Sequence, residues 1–126
     1  MAITIGEYFR ELGSIKASED LVAHAQELLL RVNALLAELG VTKQVTSGWR
    51  SISHNVAIGG SPKSAHCEAK AIDLEDANGR LKDACKANNN ELLVKYNLYM
   101  EDPSAATTWC HLTTRAPKSG NRVFMP

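Results

Sequence analysis

The chain has 126 residues, 44% of them hydrophobic, and its 14 Lys and Arg balance its 14 Asp and Glu. That length supports one domain with a real core, spanning residues 1–126, and is short for two. The balanced charge argues against a general nucleic-acid binder, no apolar run reaches the length of a membrane span, and the start MAITIGEYFRE is not a secretory signal.

Residues 5–12 predict a short helix with Tyr8, Phe9 and Leu12 on one side, ended by Gly13-Ser14. Ser18 then offers an N-cap, with Glu19 and Asp20 in the first turn, where the helix dipole favours acids. Leu21, Ala25, Leu28, Val32, Leu35 and Leu39 recur at helical spacing, and Gly40 is placed as the stop. His24, alone on this amphipathic helix, reads as a surface or boundary residue. Residues 44–47 predict a short strand that delivers Trp49 and Arg50. Residues 53–58 predict a helical turn, in which Asn55 ties down the loop that follows and His54 has no metal spacing around it.

Gly59-Gly60-Ser61-Pro62 is a turn by residue chemistry and lacks the pattern of a phosphate loop. Ala71-Ile72-Asp73-Leu74 alternates as a short strand, and Asp76-Ala77-Asn78-Gly79 is a turn. Residues 80–86 predict a helix, Asn88-Asn89-Asn90 a breaker and residues 91–96 a second short helix. Residues 98–101 and 109–113 predict a hairpin, and residues 122–124 a last strand. Arg115, Lys118 and Arg122 stand close enough in sequence for a local basic patch. The sum is an α+β domain, its N-terminal helices packed on one side of a small, mostly antiparallel sheet.

Three residues carry the chemistry. His66 leaves the Gly/Ser/Pro loop, Asp73 stands on the strand that follows, and His111 lies far downstream. Imidazole and carboxylate are zinc ligands, and three of them with one position left open is the usual catalytic arrangement. Cys67, Cys85 and Cys110 show no CxxC spacing, so they read as small buried hydrophobes in a reduced compartment. On a strand, Cys110 would point away from His111. Arg50 offers a planar fork that grips a carboxylate or carbonyl at two points, and Ser64 a hydroxyl for a ligand or substrate group.

The run Ser64-Ala65-His66, six residues, then Asp73 resembles the zinc D-alanyl-D-alanine carboxypeptidases and related phage endolysin peptidases, which share a metal site with hedgehog-type domains. Ser47-Gly48-Trp49-Arg50-Ser51 is similar to that family's Ser-Gly-Tyr-Arg-Ser segment, Trp109-Cys110-His111 to its Trp-x-His, and residues 114–126 to the tails of phage-encoded members. The resemblance covers roughly Val45 to the C-terminus. It implies Zn2+ on His66, Asp73 and His111, with Arg50, Ser64 and Trp109 touching substrate and Arg50 orienting it or stabilising an oxyanion. It also implies peptidoglycan stem peptides as substrate, no nucleic-acid or membrane partner, and other phage virion proteins as the possible companions. The expected location is the host cytoplasm before lysis, or the virion.

Two positions depart from the family pattern. Ala69 replaces the glycine usual between the histidine and the aspartate. Thr108 replaces the acid usual three residues before the last histidine, so the proton acceptor must come from elsewhere. Glu101 is the expected substitute, ahead of Glu68 and Glu75. With Glu101 opposite Trp109 and Tyr99 opposite His111, Glu101 and His111 would be same-face diagonal neighbours roughly 7–8 Å apart. Thr108 also supports a second reading, a non-catalytic virion component or cell-wall-binding module that keeps the fold.

Overall fold

Two residues set the ends of the longest helix. The Ser18 hydroxyl accepts the Leu21 N–H, and Gly40 (φ 67) closes α2 (Glu19–Leu39) in the left-handed conformation. In this computed structural model residues 2–12 and 17–126 are described; the expected stop at Gly13-Ser14 lies outside them. Ala25, Leu28, Val32 and Leu35 are fully buried, as the helical spacing requires. The N-terminal helix is shorter than expected. α1 (Ile5–Tyr8) is followed by a 3-10 turn over Arg10–Leu12. Tyr8 is buried, and its hydroxyl donates to the Ala71 carbonyl at 2.7 Å, which pins this segment to the middle of the sheet.

The sheet contains β1 (Val45–Ser47), β2 (Ala71–Glu75), β3 (Tyr99–Glu101), β4 (Trp109–Thr113) and β5 (Val123–Phe124), in the order β1-β2-β4-β3-β5. Its pairings are antiparallel except β3 with β5, so the α+β class and the mostly antiparallel sheet are as expected. Alternation divides the strands between two faces. Ile72, Leu74, Met100, Cys110 and Leu112 enter one apolar core with α2 and with Leu81, Cys85 and Leu93. Asp73, Glu101, His111 and Thr113 take the other face and line a cavity. The cysteines are free, and Cys85 and Cys110 are buried. Hydrogen bonding with Cys85, together with burial, pushes the Cys110 thiol well above its usual range.

One register differs from expectation. Tyr99 pairs with Thr113 and Met100 with Leu112, which sets Glu101 across from His111 instead of Trp109. A shift of two residues keeps every side chain on its face, so the shared face survives and the separation shrinks.

α3 (Ile52–Ala57) follows β1, and α4 (Arg80–Lys95), after β2, is two helical pieces. Ala87 is extended (ψ 147), and Asn88, Asn89 and Asn90 are left-handed (φ 54, 57 and 63), a conformation that asparagine tolerates better than most residues. Its start braces the site strand. The buried Asp76 carboxylate accepts the N–H groups of Leu81 and Lys82 at 3.0 and 2.9 Å. The buried Lys82 ammonium donates to the carbonyls of Ala106, Thr107 and Trp109 at 2.6, 3.0 and 3.1 Å. Three acceptors use all three of its donors and fix the entry to β4. No described helix is long and apolar enough to cross a membrane.

Candidate metal centre

His66 comes from the turn before β2, Asp73 from β2 and His111 from β4, where Asp73 and His111 are direct cross-strand partners. All three are buried, at 4, 7 and 7% exposure. One ligand atom from each lies within 4.8 Å of the others. His66 Nε2 stands 3.3 Å from Asp73 Oδ2, and His111 Nδ1 stands 2.9 Å from Asp73 Oδ1. Two ligands about 2.0–2.1 Å from a tetrahedral zinc lie about 3.3 Å apart, so the spacing suits that ion.

The donor chemistry points the same way. His66 Nδ1 donates to the Gly48 carbonyl at 2.8 Å, which leaves a lone pair on Nε2. That lone pair faces a carboxylate oxygen, two acceptors in contact, unless a cation or proton lies between them. The outer hydrogen bond of His66 is the usual partner of a metal-bound imidazole, fixing its tautomer. Gly48 itself packs on the end of α1, where a Cβ would lie 2.1 Å from the Tyr8 carbonyl oxygen that accepts the Trp49 N–H at 3.0 Å. Burial alone would raise the Asp73 pKa. The hydrogen bonds from His111 and then His66, with their charges, outweigh it and hold the carboxyl well below the usual carboxylate range.

Arg50 supports the same carboxylate. Its Nε donates to Ser47 Oγ at 2.7 Å, one terminal nitrogen to Asn55 Oδ1 at 2.9 Å and the other to Asp73 Oδ2 at 3.0 Å. Among the described residues, one N–H on each terminal nitrogen is left for another group. Asn55, 1% exposed, ties the loop as expected: its side-chain amide donates to the Ser61 carbonyl at 2.6 Å, and its main-chain carbonyl accepts the Gly60 N–H at 2.7 Å. A Cβ at Gly60 would lie 2.5 Å from that amide nitrogen, so the loop closes on Asn55 only with glycine there.

Glu101 Oε2 is 3.5 Å from His111 Nδ1 and lines the cavity. Thr108 is exposed and outside the cavity wall, with its carbonyl accepting the Asp76 N–H at 3.1 Å. The two weaker alternatives are engaged elsewhere, Glu68 with Arg115 and Glu75 with the Ala77 N–H at 3.0 Å. Ser64 and Trp109 line the cavity, and the Ser64 hydroxyl accepts the His66 N–H at 3.2 Å. His24 and His54 stand apart from the site, His24 bonded to the Glu68 carbonyl at 2.9 Å and His54 paired with Glu11 at 2.8 Å.

The cavity has a volume of about 760 Å³, and much of its wall is the C-terminal segment, including Arg115, Lys118, Phe124 and Met125. The Phe124 ring meets the His111 ring edge-on at 6.3 Å. Sequence reasoning missed Phe124 and Lys63 as parts of the site. It grouped Arg122 with the basic tail residues, but Arg122 lies 4.5 Å over the Tyr99 ring and bonds Asn97, outside the cavity wall.

The family described as Peptidase M15 matches residues 3–104. The match includes His66, Asp73 and Glu101 and ends before His111, which the β2–β4 register brings to the site. No curated protein and no solved structure matches the chain.

Proposed function

The chain belongs to the Peptidase M15 family of metallopeptidases, and on that premise we propose that it is a zinc peptidase cutting stem-peptide bonds of bacterial peptidoglycan. The carrying observation is the convergence of His66, Asp73 and His111 with a second carboxylate, Glu101, 3.5 Å from His111 Nδ1. His66 Nε2, an Asp73 oxygen and His111 Nδ1 would hold the ion. When bound, zinc supplies Lewis-acid activation of water and of the scissile carbonyl. Glu101 takes the proton from the attacking water and returns it to the leaving amine, the work of a general base and then a general acid. Arg50 holds Asp73 in place and has two N–H groups left to orient a substrate carbonyl or stabilise the developing oxyanion. Ser64 and Trp109 line the path of the peptide.

A phage-encoded lysin, released at host lysis or carried on the virion, fits this reading and the resemblance of the tail. The competing reading, a non-catalytic virion component or wall-binding module, rested on Thr108, and the position of Glu101 weakens it. The test is zinc-reconstituted protein incubated with purified peptidoglycan, with released peptides identified by mass spectrometry. Cleavage that stops on chelation and returns with zinc is expected. Stoichiometric zinc without any cleavage would overturn the enzymatic reading.

A further inference from the structure

The cavity wall carries cations that the proposed chemistry does not use. Arg50, Lys63, Arg115 and Lys118 line it together with Asp73 and Glu101. Two of the four are committed. Arg50 bonds Asp73 at 3.0 Å, and Arg115 pairs with Glu68. The side chains of Lys63 and Lys118 have no hydrogen bond or ion pair among the described residues, and both residues are exposed.

These two lysines come from distant segments that are fastened together. Arg115 donates to the Lys63 carbonyl at 2.8 Å, tying the tail to the turn before His66. The tail turns at Lys118 through the Gly120 N–H on the Pro117 carbonyl at 3.0 Å. The Arg50 and Asn55 contacts hold the other side of the same loop. A concave wall with unpaired charges of one sign raises the local concentration of counter-ions. Lys118 lies beyond the residues that match the family, on the tail that lines the cavity.

We propose that Lys63 and Lys118 form an anion subsite that takes a carboxylate of the substrate peptide, so that the protein selects acidic peptides over their amidated forms. The proposal rests on the peptidase reading for its ligand class. The test uses calorimetry on zinc-loaded protein with L-alanyl-D-isoglutamyl-L-lysyl-D-alanyl-D-alanine. Its comparison peptides carry an amide in place of either the isoglutamyl carboxylate or the C-terminal one. An exposed ammonium–carboxylate pair is worth about two- to fivefold in affinity, so at low salt one amide form should bind about tenfold more weakly. The penalty should shrink to under about twofold in the Lys63→Gln/Lys118→Gln double variant, and also in wild type at high salt, where exposed charges are screened. Equal binding of all three peptides by wild type, no binding of any of them, or a penalty that survives in the double variant would overturn the proposal. Cleavage, followed separately, distinguishes the two failures. Charge-selective binding without cleavage keeps the subsite and defeats the peptidase reading; cleavage without charge preference does the reverse.

Discussion

The two faces of the sheet bury alternate residues of the same strands by different physics. On β2, Ile72 and Leu74 are 0% exposed and lie among apolar side chains, while Asp73, between them, is 7% exposed and touches His66, His111 and Arg50. The apolar face distributes its energy over many weak, non-directional contacts. The polar face concentrates its energy in a few directional ones, each of which leaves a buried charge or lone pair behind when it is lost. A change on the apolar face should therefore lower stability and spare chemistry. A change on the polar face should do the opposite, or do both through the metal.

The largest expected effect is on turnover. Glu101→Gln keeps the shape and removes the proposed base, so kcat should fall by about 10²–10⁴-fold. Zinc content and Tm should stay near the wild-type values, because Glu101 is half-buried and outside the core cluster. A variant that kept full turnover on a soluble stem peptide would reassign the base and remove the polar face's claim to the chemistry.

A matched pair contrasts the faces in stability. Leu112→Ala, on the apolar face of β4, should cost about 2–5 kcal/mol in denaturant unfolding and still bind one zinc below its transition. His66→Ala should lose the zinc and with it the stabilisation that binding adds, about 2.7 kcal/mol at a free-ion concentration a hundredfold above Kd. Chelation should lower the stability of wild type and leave His66→Ala unchanged. If chelation destabilises His66→Ala as much as wild type, zinc is held elsewhere.

Acid sharpens the contrast with a smaller effect. The folded-state pKa of Asp73 is depressed, so the unfolded chain takes up its proton first as pH falls. The contribution of Asp73 is fully present above the unfolded pKa of about 3.9 and is lost as pH drops below that value. Metal-free wild type should therefore lose stability on going from pH 5 toward strong acid more steeply than Asp73→Asn does. Equal slopes in urea unfolding across that range would show that Asp73 is not held as an anion by its neighbours.

Much of this division was legible before the structure. Period-two alternation put Asp73 and Leu74 on opposite faces, as it did Cys110 and His111, and the Ser18 and Gly40 caps bounded α2. The pairing of Glu101 was less legible. Alternation specifies a face but leaves shifts of two residues open, and the loop between β3 and β4 carries no short-turn signature that would choose among them. Arg50 was readable as a fork, but its commitment to Ser47, Asn55 and Asp73 depends on contacts across 3, 5 and 23 residues. The cavity wall formed by the tail had no periodicity to announce it. Phe124 and Lys118 reach the site because β5 pairs with β3 and Arg115 anchors to residue 63.

The smallest expected effect lies where the two faces meet. Ala69 is 0% exposed and joins the apolar core, yet it sits in the turn that carries the chain from His66 to β2. Its φ is 59, in the left-handed region, where a side chain costs an L-residue about 1–2 kcal/mol. A glycine at this position would relieve that strain. Against the relief stand the buried methyl, about 0.8 kcal/mol, and the extra freedom of glycine in the unfolded chain, about 0.5–1 kcal/mol. The terms nearly cancel, so Ala69→Gly should change unfolding stability by no more than about 0.5 kcal/mol. Ala71→Gly is the control: Ala71 is equally buried, lies on β2 and is absent from the left-handed positions. It loses the same methyl with no strain to relieve, and should cost about 1–2 kcal/mol. Equal losses in the two variants would show that the turn at Ala69 stores no strain and that its left-handed backbone comes at no cost.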